Sequence, residues 1–100
     1  MRTTNVSFEV TYILRPDLSE GEVAALVSQI ANQITSAGGA VPGEPVILGK
    51  RRLAYEISNV REGYYATMRF ECQMTTAKDF ERFLRLHEAV LRSLVIRLDE

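Results

Sequence analysis

The sequence predicts an α+β fold, a split βαβ sandwich with a four-stranded antiparallel sheet and two helices on one face. Three observations carry that expectation. Segments with a two-residue apolar period alternate with segments of three- and four-residue period, in the order βαββαβ. Two Ser/Thr-led tetrapeptides with an acid three residues on stand where helices should begin. The chain has 100 residues, 46% apolar and 25% charged, which describes one domain around one core.

From Val6 to Leu14, the residues Val6, Phe8, Val10, Tyr12 and Leu14 alternate with Ser7, Glu9, Thr11 and Ile13, the pattern of a strand. Arg15-Pro16-Asp17 breaks it, and Ser19 with Glu22 has capping-box spacing. Val23, Leu26, Val27, Ile30 and Ile34 then mark one face of a helix from about Ser19 to Ala37, stopped by Gly38-Gly39. Val46, Ile47 and Leu48 lead into a second strand on which Leu53, Tyr55 and Ile57 share a face. Asn59 to Gly63 is expected as a hairpin loop, followed by a third strand in which Tyr64, Ala66, Met68, Phe70 and Cys72 alternate with Tyr65, Thr67, Arg69 and Glu71. Thr76 to Asp79 repeats the capping spacing ahead of Phe80, Phe83, Leu84 and His87, and Leu91 to Leu98 returns to strand. Two βαβ halves in this order give the ferredoxin-like arrangement, with the second sheet face left open. No internal repeat or linker divides residues 1–100.

Composition narrows the function classes. The longest apolar run, Val23 to Val27, is far short of the roughly 20 residues that span a bilayer, and no leader pattern precedes it, so a cytoplasmic protein without a membrane partner is expected. One Cys and one His leave no zinc constellation and no intramolecular disulfide. Cys72 has the parity of Met68 and Phe70, which makes it a buried small hydrophobe, and His87 sits where a helix end offers free carbonyls. Glu20 with Glu22, and Asp79 with Glu81, are first-turn helix acids rather than catalytic pairs. Gly38-Gly39 follows a helix instead of opening one, so it cradles no phosphate. In Glu62 to Phe70, Ala66 and Arg69 stand where an RNA-recognition motif would place stacking aromatics. No cofactor, catalytic group or small-molecule substrate is expected.

Charge is unevenly spread. Residues 1 to 49 carry two Arg against five acids, whereas residues 50 to 97 carry ten basic residues against six acids. Ten of the twelve cations are Arg, whose planar fork suits phosphate and ion-pair recognition. The total of −1 argues against non-specific polyanion binding, which needs many phosphate contacts at once. Two basic groups stand out: Lys50-Arg51-Arg52, readable as edge protection or as a binding patch, and Arg82, Arg85, Arg92 and Arg97. Arg92 and Arg97 have opposite strand parity and point to opposite faces.

The order of motifs is more specific than any one of them. Phe8 to Leu18 (FEVTYILRPDL), Gly49 to Ile57 (GKRRLAYEI), Glu62 to Tyr65 (EGYY) and Leu86 to Val95 (LHEAVLRSLV) together resemble the sixth protein of the bacterial small ribosomal subunit, over nearly the whole chain. The resemblance implies a ferredoxin-like structural protein without catalysis, bound to the central domain of 16S ribosomal RNA as a heterodimer with the eighteenth small-subunit protein. It implies that Lys50, Arg51, Arg52 and Leu53, with Tyr55, face the protein partner. Arg92, with Arg85 and Arg97, is implied to lie near the RNA, as is Arg2, which matches an N-terminal base of the family. Leu48 stands where many members carry Trp and Glu56 where many carry Pro, and the chain stops at Glu100 without the long tail of some members. A homodimeric ferredoxin-like regulatory or ligand-binding module, paired through an apolar open face, is the alternative from another class.

Overall fold

A computed structural model describes residues 5–57 and 59–98. The elements follow the expected order: β1 (Val6–Leu14), α1 (Glu20–Ser36), β2 (Val46–Ile57), β3 (Val60–Cys72), α2 (Met74–Leu86) and β4 (Val90–Arg97). The four strands form one antiparallel sheet in the order β2-β3-β1-β4, so β2 and β4 are its edges.

The core follows from strand parity. β1 pairs with β3 over nine consecutive residues, with Phe8 opposite Phe70, Val10 opposite Met68 and Tyr12 opposite Ala66. These residues are buried together with Val23, Val27, Ile30 and Ile34 of α1 and Ala77, Phe80 and Leu84 of α2, so both helices cover one face. Phe8 stacks on Phe70 at 5.3 Å, and Phe70 meets Phe80 edge-on at 5.1 Å, which ties α2 to the two central strands. Cys72 is buried in the same cluster, where desolvation pushes its thiol up, as expected for a core residue.

Local chemistry sets the element ends. The Glu22 N–H donates to Ser19 Oγ at 3.1 Å and the Ser19 N–H donates to Glu22 Oε1 at 2.8 Å, a complete capping box on α1. At the other end Gly38 takes φ +91°, and the Gly39 N–H returns to the Ile34 carbonyl at 2.9 Å. Arg15 and Asp17 pair at 2.7 Å in the β1–α1 turn, and the guanidinium holds the Asp17 carboxyl below its usual range. His87 ends α2 through its backbone, the N–H donating to the Leu84 carbonyl at 3.2 Å, while its imidazole does not serve the helix-end carbonyls as expected but accepts at Nδ1 from the Ala89 N–H at 3.1 Å.

Two further expectations are corrected. Thr76 does not cap α2: the helix starts at Met74 behind Gln73, whose carbonyl receives the Ala77 N–H at 3.0 Å, so Thr76 already lies in the first turn. Residues Asn59 to Gly63 are not a loop. Ile57 pairs with Val60, Asn59 adopts φ +66°, a conformation Asn tolerates, and Val60 to Gly63 extend β3. The hairpin is therefore longer and its turn tighter than the polar run Asn59 to Gly63 suggests.

β2 is also bent. Ile47 pairs with Ala66 but Gly49 with Tyr65, so Leu48 is an inserted residue, and Gly49 supplies the φ of +97° that this bulge requires. A second irregularity lies between Arg52 and Ile57. At Gly63 a Cβ would stand 2.6 Å from Ile13 Cγ2 and 2.7 Å from the Leu14 carbonyl oxygen, so only glycine lets the hairpin approach the end of β1.

Two outcomes test this account. Gly63→Ala should destabilise the fold by about 1–3 kcal/mol in equilibrium denaturation, because that contact cannot relax without moving backbone. Tyr12 is fully buried, its hydroxyl has no hydrogen-bond partner among the described residues, and burial holds the phenol well above its ordinary range. Tyr12→Phe should therefore leave stability unchanged or raise it by about 1 kcal/mol, read from the denaturant midpoint.

Candidate nucleic-acid and partner interface

The open face of the sheet is polar at its centre. Ser7, Glu9 and Thr11 of β1 lie opposite Glu71, Arg69 and Thr67 of β3. Glu9 and Arg69 pair at 3.9 Å, and the Thr67 hydroxyl donates to the Val10 carbonyl at 3.0 Å. A face built this way does not form an apolar homodimer surface. Exposed apolar side chains sit instead along the edges, Leu94 and Ile96 on β4 and Val46 and Leu48 on β2.

At one end the β2–β3 hairpin closes over this face. Leu53, Tyr55 and Ile57, with Ala54 between them, line a cavity of about 230 Å³ with Ile13, Tyr65 and Arg92. Leu53 is buried there, while Tyr55 is 54% exposed. Glu56, at a position where Pro was expected from the family pattern, pairs with Arg61 at 2.8 Å across the hairpin.

The two-residue alternation of β2 divides the first basic group, and the bulge at Leu48 decides which residue takes which face. Lys50 lies opposite Tyr64, on the helix side of the sheet, and its Nζ stands 5.2 Å from the Tyr64 ring centroid. It lines a groove of about 560 Å³ with Glu20, Val23, Ile47 and Gly49, next to the start of α1. Arg51 lies opposite Gly63 on the open face, and Arg52 opposite Glu62 on the helix side. Both are exposed and make no ion pair among the described residues. Because β2 is an edge, three cations line a strand whose outer backbone groups are unpaired.

The second group divides as parity demands. Arg92 lies opposite Ile13 on the open face, and Arg97 opposite Phe8 on the helix side. Arg97 reaches back to Met74 at the start of α2, its Nη1 4.0 Å from the sulfur. Arg85, in the last turn of α2, and Arg92 both border a cleft of about 300 Å³ that Glu81, Val90 and Ser93 also line, although the Arg92 side chain turns to the open face, and Arg97 is at the far end of β4. Arg2 lies outside the described residues.

Sequence reasoning missed how Arg92 is held. Its Nη1 donates to the Tyr55 hydroxyl, and the guanidinium carbon lies 5.5 Å from the Tyr55 ring centroid. An expected RNA contact and an expected partner contact thus touch, 37 positions apart in sequence. Only the bend of the hairpin creates this contact, and no periodicity in the sequence encodes it. The edge residues Leu94 and Ile96, by contrast, share the parity of Arg92 and could have been placed beside it on the open face from the period of two.

Among the described residues no three His, Cys, Asp or Glu side chains converge on a metal-sized site, and no helix is long and apolar enough to cross a membrane. Residues 7–97 match the family model described as ribosomal protein S6. A small ribosomal subunit protein bS6 of Desulfitobacterium hafniense is 39% identical over 97 residues, covering 94% of this chain and 98% of that protein. The protein of the same description from Natranaerobius thermophilus is 42% identical over 91 residues, covering 91% and 94%. The crystal structure of 30S ribosomal protein S6 from Thermotoga maritima superposes with a TM-score of 0.84 at 26% identity, covering 93% of this chain and 87% of that one.

Proposed function

The chain belongs to the ribosomal protein S6 family and is a structural, non-enzymatic component of the small ribosomal subunit, and from that premise we propose that it binds the central domain of 16S ribosomal RNA jointly with the basic eighteenth small-subunit protein. The observation that carries this reading is that Lys50, Arg51 and Arg52 on edge strand β2 and Arg92 on edge strand β4 make no ion pair among the described residues, in a chain whose net charge is only −1. Such a surface makes a few local phosphate contacts but lacks the density of charge that would hold RNA alone.

The two basic groups take different roles. Lys50, Arg51 and Arg52 lie on edge strand β2, which has free backbone groups for a protein partner and charges on both of its faces. Leu53 supports this edge from the cavity beneath the hairpin, and Tyr55 stands exposed at its margin. Arg92 on the open face and Arg85 at the end of α2 border the same end of edge strand β4 and serve as separate phosphate contacts there. Arg97 and Arg2 extend the RNA-facing set as separate contacts. Residues 1–100 act in this reading as one ferredoxin-like domain.

Binding of a central-domain RNA fragment, titrated against salt with and without the partner protein, tests the assignment. Affinity should appear or tighten sharply only with the partner. RNA binding that ignores the partner, together with a stable homodimer, would overturn it. The double substitution Arg51→Ala with Arg52→Ala should weaken partner affinity, measured calorimetrically, and leave the unfolding free energy from denaturant titration within about 0.5 kcal/mol of wild type. Arg92→Ala should weaken RNA binding and flatten the slope of log affinity against log salt by up to about one.

A further inference from the structure

We propose that Tyr55 is the positioning residue for Arg92, fixing its guanidinium on the open sheet face in the orientation that meets an RNA phosphate. The inference rests on the reading of Arg92 as an RNA contact. Arg92 lies on an edge strand and its side chain is exposed, so nothing in β4 itself restrains it. An exposed arginine samples many rotamers, and holding one of them for a ligand has an entropic cost at the moment of binding. Tyr55 removes part of that cost in advance. The phenol oxygen accepts from Nη1, and the ring face lies 5.5 Å from the guanidinium carbon, on the side where its quadrupole attracts a cation.

The contact leaves the fork usable. A guanidinium has five N–H donors in one plane and the phenol takes one of them, so donors remain for a bidentate phosphate contact. Tyr55 carries no charge to compete with that phosphate, whereas a carboxylate in its place would neutralise the arginine. The seat is itself supported. Leu53 and Ile57 flank Tyr55 on β2 and line the same cavity with Ile13 and Tyr65, and glycine at position 63 lets the hairpin descend far enough to reach β4. Lys50 meets the face of the Tyr64 ring, and Arg92 has both a ring face and a hydrogen bond to that same ring's hydroxyl.

The test is a double-mutant cycle on the complex. Affinity for a central-domain fragment of 16S ribosomal RNA is measured over a salt series, with the eighteenth small-subunit protein saturating, for wild type, Tyr55→Phe, Tyr55→Ala, Arg92→Ala and the double variant Tyr55→Ala with Arg92→Ala. Tyr55→Ala should weaken binding about three- to tenfold, and Tyr55→Phe, which keeps the ring and the packing, should weaken it less. The Tyr55 effect should vanish once Arg92 is alanine. A Tyr55→Ala loss that is the same with and without Arg92 would overturn the proposal, because Tyr55 would then act on its own. So would an Arg92→Ala loss with no effect of Tyr55→Ala. If Arg92→Ala changes neither affinity nor salt slope, the reading of Arg92 as an RNA contact fails and the positioning role fails with it.

Discussion

The nine-residue pairing of β1 with β3 is the constraint on which the rest of the structure depends. Side chains alternate across a strand with a period of two, so a slip of one residue would turn Phe8, Val10, Tyr12 and Leu14 to the open face and bring Glu9 and Thr11 beneath the helices. Burial of the first set in one cluster with both helices makes every other register unfavourable by several side chains at once. With that pairing fixed, β4 adds to the free side of β1 and β2 to the free side of β3, and which residues face outward is decided by counting from the centre.

Strong local signals were legible because they rest on few residues. Ser19 and Glu22 announce the start of α1, and the structure shows the reciprocal hydrogen bonds that their spacing implies. The alternation in β1 reads correctly from Val6 to Leu14. The same capping logic misplaced the start of α2, because Gln73 offers no side-chain cap and the helix is anchored by Ala77, Phe80 and Leu84 in the core. Packing prevailed over a local preference. The hairpin turn was misplaced for a related reason: Asn59 to Gly63 is polar and glycine-bearing, yet the glycine serves the close approach to Ile13 and not the turn.

The candidate site was legible as a set of residue types and much less as a geometry. Opposite faces for Arg92 and Arg97 follow from parity alone, and β4 places them so. The contact of Arg92 with Tyr55 depends on the coiling of a two-stranded arm that extends past the end of β1, a tertiary property with no short-range signal. A protein without an active site works by where its charges are held. Here one hairpin carries the basic edge on its outer side and, on its inner side, the aromatic ring against which an arginine of the opposite edge rests.

The bulge at Leu48 acts as a frame shift for everything that follows it in β2. With Leu48 inserted, Arg51 faces the open side and Lys50 and Arg52 the helix side, whereas a regular strand would exchange all three. Composition and net charge would be identical in the two cases. A change at Gly49 that closes the bulge at constant chain length therefore alters this surface more than the replacement of any single cation, whereas deletion of Leu48 itself would keep every cation opposite its present partner, and an alignment that places that gap elsewhere in β2 compares side chains from opposite faces of the sheet.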